Sequence, residues 1–92
     1  EFAISKSKDA RVVFKFNSKE VYMVASSEKG TYATILLDGK VPNTDTPDTK
    51  QGSINFKEDR LYHLITLPAP GPHTLEIKID EPGLRAFTFT FG

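Results

Sequence analysis

Two histidines, a scatter of carboxylates and three tyrosines are the residues of this 92-residue chain that could do chemistry. Cysteine is absent, so thiolate nucleophiles, disulfides and thiol redox chemistry are excluded from these residues. A serine or threonine nucleophile would need His63 or His73 as its base. His63 lies inside an alternating apolar run, His73 stands beside prolines, and no serine occupies a G-x-S-x-G elbow. Both histidines therefore read as structural or surface residues. Glu58-Asp59 and Asp80-Glu81 are adjacent acids, but neighbours on a strand face opposite ways and turn acids face water, so neither pair is set for glycoside hydrolysis.

Asp38, Asp45 and Asp48, with threonine hydroxyls around them, could offer oxygen ligands to calcium. Their spacing fits no EF-hand loop, and a hydrophilic loop without metal is the competing reading. Glycines fall one to a turn, which leaves no phosphate cradle. The remaining candidates are aromatic. With Phe and aliphatic residues filling a core, Tyr22, Tyr32 and Tyr62 would share the opposite faces of their strands. There they could stack on sugar rings, with Arg60 or Asn55 as hydrogen-bond donors. The alternative is that these tyrosines pack against another sheet or domain.

The elements that must position these residues follow from periodicity. Apolar residues alternate with period two almost throughout, and no stretch sustains helical spacing. Strands are expected at RVVFKFN, VYMVAS, TYATILL, SINF, LYHLITL, HTLEIKI and the closing FTFTF. A hairpin at NSKE is the simplest link between the first two, and LYHLITL is expected as a central strand with Leu61, His63, Ile65 and Leu67 opposite Tyr62, Leu64 and Thr66. KVPNTDTPDTKQG reads as a long surface loop, and PAPGP as a rigid connection. Burial of Phe87, Phe89 and Phe91 would contribute roughly 5 to 9 kcal/mol, comparable to the whole net stability of a small domain. The expected fold is an all-β antiparallel sandwich of jelly-roll or Greek-key type.

Composition limits partners as well. Lys plus Arg and Asp plus Glu both number 12, so no charge excess draws the chain to nucleic acid, and no apolar run approaches bilayer length, so no membrane insertion is expected. One domain is expected over residues 10–92, with 1–9 as a linker or the remnant of a preceding strand.

Three stretches, FKFNSKEVYMVA, LLDGKVP and RLYHLITLPAPGPHTLEIKIDEPGLRAFTFTFG, together resemble the C-terminal domain of extracytoplasmic thioredoxin-like proteins of the DipZ type. Arg60, Leu61, Tyr62 and Leu64 match one family motif, and Pro82, Gly83, Ala86, Phe89, Thr90, Phe91 and Gly92 match the terminal one. Ser18 stands where the family favours Ala. The resemblance implies a carbohydrate-binding-module-like sandwich lacking its first strand, with Phe2 and Ile4 left from the linker. It further implies an upstream thioredoxin domain as partner, with any thiol-disulfide chemistry there and not here. A bacterial, periplasmic setting is implied too. The expected role is a non-catalytic accessory module, with a cell-envelope glycan as possible ligand. A scaffold that positions the thioredoxin domain is the alternative. No cofactor beyond calcium is expected, and an open sheet edge would allow a dimer.

Overall fold

Alternation of apolar side chains becomes a two-layer sandwich. The computed structural model describes residues 3–4, 10–80 and 83–92, and within them no helix forms. Nine strands are described: β1 (Ala3–Ile4), β2 (Ala10–Asn17), β3 (Glu20–Ser26), β4 (Thr31–Leu37), β5 (Thr49–Lys50), β6 (Ser53–Phe56), β7 (Arg60–Thr66), β8 (Pro72–Ile79) and β9 (Arg85–Phe91). One sheet has the order β1-β9-β3-β7 and the other β2-β8-β4-β6-β5, with every pairing antiparallel. The chain passes back and forth between the sheets, as a jelly roll requires. Of the segment 1–9, only Ala3 and Ile4 among the described residues have a place, paired with Ala86 and Arg85. Phe2, Glu81 and Pro82 lie outside the described residues.

The inner faces meet over Val21, Met23, Ile35, Phe56, Leu64, Leu75 and Ile77, all essentially without solvent contact. Burying a side chain of this size contributes about 1.5 to 3 kcal/mol, so this layer holds the sheets together.

Several expectations change. β2 and β3 are not a hairpin: β2 pairs with β8 over its whole length, and β3 lies between β7 and β9 in the other sheet. The NSKE turn crosses the sandwich, so the Phe14 and Phe16 face opposes β9 from the other sheet. β7 is an edge strand, and its buried face is Tyr62, Leu64 and Ile65, not Leu61, His63 and Ile65. A bulge causes this: Val21 pairs with Ile65 but Tyr22 pairs with His63, leaving Leu64 as the extra residue. Two successive side chains then turn inward and period two breaks.

The terminal strand is less buried than its sequence implies. Phe89 is half-buried, and Phe91 is 47% exposed where the sandwich opens beside β2. Phe89 lies 4.6 Å from Phe14 between ring centroids, and Phe91 stacks on Phe16 at 6.3 Å. The side chain of Phe87 lies outside the described residues, and the exposure of Phe91 alone means that the three rings are not all buried.

The long loop is more ordered than its composition implies. Asp38 and Gly39 both take positive φ, closing a tight turn in which the Leu37 and Lys40 backbones bond to each other. Gln51 and Gly52 repeat that conformation between β5 and β6. A Cβ on Gly52 would stand 3.0 Å from the Ile35 carbonyl oxygen, so this turn needs glycine for space as well as for φ.

Candidate functional site

Thr44, Thr46 and Asp48 of the loop bond to backbone groups along the outer edge of β7. Thr44 Oγ1 donates to the Thr66 carbonyl (2.7 Å) and Thr46 Oγ1 to the His63 carbonyl (2.7 Å). The His63 N–H donates to Asp48 Oδ2 at 2.8 Å. Side chains here take the place of a neighbouring strand. Arg60 completes the arrangement: Nη2 donates to Asp48 Oδ1 at 2.8 Å, Nη1 to the Leu61 carbonyl at 2.9 Å, and the guanidinium carbon sits 3.9 Å from the centre of the Tyr62 ring. At Asp48, burial is the largest influence and opposes charge. Hydrogen bonds from Arg60 and the His63 N–H, with the Arg60 charge, outweigh it and hold the carboxyl below its ordinary range. The Arg60 guanidinium is correspondingly pushed up, first by its bond to Asp48.

Tyr62 is 1% exposed and cannot present its ring to a ligand. Its hydroxyl donates to the Glu58 carbonyl (2.7 Å) and accepts the Lys57 N–H (2.8 Å), fixing the turn between β6 and β7. The structure thus brings Tyr62 and Arg60 together, but as a latch on β7. The shared aromatic face does not form, because Tyr62 turns into the core while Tyr22 and Tyr32 stand on different sheets.

The structure does not gather the three loop aspartates into one cluster. Asp38 accepts the Thr74 N–H (2.9 Å) and lies 2.6 Å from His73 Nδ1, Asp45 caps the Gln51 N–H (2.8 Å), and Asp48 is held by Arg60. Among the described residues no group of three or more His, Cys, Asp or Glu is gathered as a metal would require. The His73 hydrogen bond, then that of Thr74, keeps the exposed Asp38 carboxyl below its usual range.

On the outer face of the four-stranded sheet, the β7 bulge sets His63 opposite Tyr22. The rings stack with centroids 4.4 Å apart. The Tyr22 hydroxyl donates to Glu20 Oε1, and that bond raises its pKa, followed by burial and the Glu20 charge. His63 Nε2 lies 3.2 Å from the same oxygen yet is not aligned for a hydrogen bond. Glu20 and Tyr22 share a face by simple alternation, but the arrival of His63 depends on the bulge, which no residue type in β7 announces. Along the same face Val24 pairs with Leu61, which is 48% exposed.

On the outer face of the five-stranded sheet stands Tyr32, 55% exposed. The register places Asn55 directly opposite it on β6, and the Asp80 N–H bonds to the Tyr32 carbonyl on the β8 side. Thr34 follows on the same face, between Ser53 and Lys78. Tyr32 is therefore an open ring on a hydrogen-bonded strand, with amide, hydroxyl and charged side chains around it. Of the three candidate tyrosines, Tyr32 is the one more than half exposed.

Comparison with known proteins agrees with this architecture. The family described as "Thioredoxin like C-terminal domain" matches residues 1–92, and the chain belongs to it. No curated protein matches the chain. Among solved structures, a family two carbohydrate esterase from Cellvibrio japonicus is similar at TM-score 0.67 and 13% identity, over 96% of this chain and 29% of that one. A family two carbohydrate esterase from Clostridium thermocellum, solved in complex with cellohexaose, is similar at TM-score 0.66 and 15% identity, over 100% of this chain and 31% of that one. The chain thus spans less than a third of these enzymes, and at such identities the likeness is one of fold.

Proposed function

We propose that this thioredoxin-like C-terminal domain is the non-catalytic accessory module of a thiol-disulfide redox protein and binds saccharide on the Tyr32 face. The observation that carries the reading is Tyr32 itself: a flat ring, more than half exposed, on a paired strand with Asn55 across from it. An exposed aromatic flanked by hydrogen-bonding groups suits a pyranose, whose C–H face stacks on the ring while its hydroxyls meet polar side chains. The shared fold with part of an esterase solved with cellohexaose supports this ligand class by analogy. Thiol chemistry belongs to an upstream thioredoxin domain, since these residues hold no cysteine. On this reading the parent protein works outside the cytoplasm, where a cell-envelope glycan is within reach.

A second reading assigns the domain as a scaffold that docks the thioredoxin domain. One observation favours it: exposed Leu61 beside Val24, next to the Tyr22 and His63 stack, forms a mixed apolar surface on the opposite sheet. A glycan array and a peptidoglycan pull-down with the 92-residue chain separate the two. Retention lost in Tyr32→Ala and kept in Leu61→Ser supports the saccharide reading. Absence of retention, with thioredoxin-domain association weakened by Leu61→Ser, supports the scaffold.

A further inference from the structure

The chain carries no net charge, yet its charges are not spread evenly. The strands of the five-stranded sheet turn Arg11, Lys15, Lys50 and Lys78 to solvent, and the acid among their residues is Glu76. Arg11 bonds to Glu76 at 3.2 Å, so those two charges largely offset each other. The lysines leave the sheet that carries Tyr32 with a positive outer face.

Register fixes where that charge lies. Thr34 pairs with Lys78 on one side and with Ser53 on the other, and Ser53 pairs in turn with Lys50. Side chains paired across strands share a face, so Lys78, Thr34, Ser53 and Lys50 make one row over β8, β4, β6 and β5. With adjacent strands about 4.8 Å apart, the row runs roughly 14 Å, an ammonium at each end and two hydroxyls between. Tyr32 stands two residues along β4 from Thr34, about 7 Å away. Asp80 follows β8 level with Tyr32, its N–H bonded to the Tyr32 carbonyl, and its side chain is exposed. A negative group on the tyrosine ring is therefore repelled on that side and attracted toward the row.

We propose, resting on the saccharide reading of Tyr32, that the ligand is acidic: a uronate or other carboxylate-bearing sugar, its ring on Tyr32 and its carboxylate on the row from Lys78 to Lys50. Lysine suits this task, because its compact charge on a flexible stem reaches a carboxylate without demanding one fixed geometry. The Thr34 and Ser53 hydroxyls donate to the same anion or to neighbouring sugar hydroxyls. A neutral glucan would use the ring and Asn55 but would leave both ammonium groups without a role. Charge complementarity thus selects among saccharides that stack equally well on Tyr32.

The test is retention of the 92-residue chain on immobilised oligogalacturonate, alginate and hyaluronan, on their carboxyl methyl esters, and on cello-oligosaccharide and poly-glutamate. Tyr32→Ala, Lys50→Gln and Lys78→Gln are run beside it. All three side chains are exposed, so the variants keep the fold, which circular dichroism checks. The expected result is that at least one uronate is held several-fold more tightly than its ester, and less tightly as salt rises. Each lysine variant narrows the gap between acid and ester several-fold, and Tyr32→Ala loses acid and ester alike. Esters or cello-oligosaccharide held as tightly as the acids, with both lysine variants unchanged, overturn the acidic ligand and leave the saccharide reading standing. Retention of none of the saccharides overturns both. Poly-glutamate held as tightly as the uronates, with no loss in Tyr32→Ala, also overturns the proposal, since charge would then act without a sugar site.

Discussion

Arg60 lays its guanidinium over the ring of Tyr62, 3.9 Å from its centre, while holding Asp48 at 2.8 Å. This one relationship links the 38–52 loop, the edge strand β7 and the core. Asp48 is its pivot, because it also receives the His63 N–H. Asp48→Ala strands that backbone donor and the Arg60 charge together, and is expected to cost about 1 to 3 kcal/mol. Arg60→Ala removes a cation that is 44% exposed, so screening limits the loss to roughly 1 kcal/mol or less. Urea denaturation of both variants checks the order, Asp48→Ala being the more damaging.

The same carboxylate governs acid stability. Its pKa in the fold lies below the ordinary 3.8. Such a group stabilises the fold above its unfolded pKa and loses that contribution as pH falls through the lower, folded value. Stability is therefore expected to fall below about pH 4, and Asp48→Asn to flatten that acid limb while lowering stability at pH 7. Asp38 acts in the same direction but stands in solvent, so Asp38→Asn changes the limb less. Thermal unfolding at a series of pH values measures both slopes.

Tyr32 and Tyr62 should separate cleanly. Tyr62→Phe loses the bonds to Glu58 and Lys57, an expected cost of about 1 to 2 kcal/mol, and Tyr62→Ala adds a cavity for a total of roughly 3 to 5 kcal/mol. Loss of glycan retention in Tyr62→Ala would then report unfolding. Tyr32→Ala, on an open surface, should stay within about 0.5 kcal/mol of wild type. Parallel denaturation curves and glycan retention assays read the two effects apart.

Periodicity made the strands legible because a half-buried strand writes its burial directly into alternate residues, as in β3, where Val21, Met23 and Ala25 are buried and their neighbours are not. Partnering was less legible. Nothing local in RVVFKFN or VYMVAS states that β2 seeks β8 and β3 seeks β9, since those pairings are set by the closure of the core. The bulge at Leu64 was hidden for a related reason: it shows only where Val21 and Tyr22 skip a residue on β7. That skip took Tyr62 into the core and delivered His63 to Tyr22. Tyr32 and Asn55 remained legible because β4 and β6 keep strict alternation. The partners of the loop aspartates were not legible either, because they are backbone donors distant in sequence: His63 N–H of β7 for Asp48 and Thr74 N–H of β8 for Asp38.

The two tight turns of the 38–52 segment offer the last test, because they share φ but not surroundings. Gly39 has φ +83 and no heavy atom within 4 Å of where a Cβ would stand. Gly39→Ala therefore costs only the left-handed backbone conformation, about 1 kcal/mol. Gly52 has φ +80 and would bring a Cβ to 3.0 Å from the Ile35 carbonyl oxygen and 3.2 Å from Val41 Cγ1. That carbonyl belongs to a central strand, and the Ile35 N–H is itself bonded to the Gly52 carbonyl at 2.6 Å, so neither backbone can give way freely. Gly52→Ala should exceed Gly39→Ala by about 1 kcal/mol or more, lowering the midpoint in urea without changing the slope. Equal costs would mean that the turn at Gln51 and Gly52 shifts to admit a methyl group, and that the 38–52 segment is held less firmly than its hydrogen bonds to β7 require.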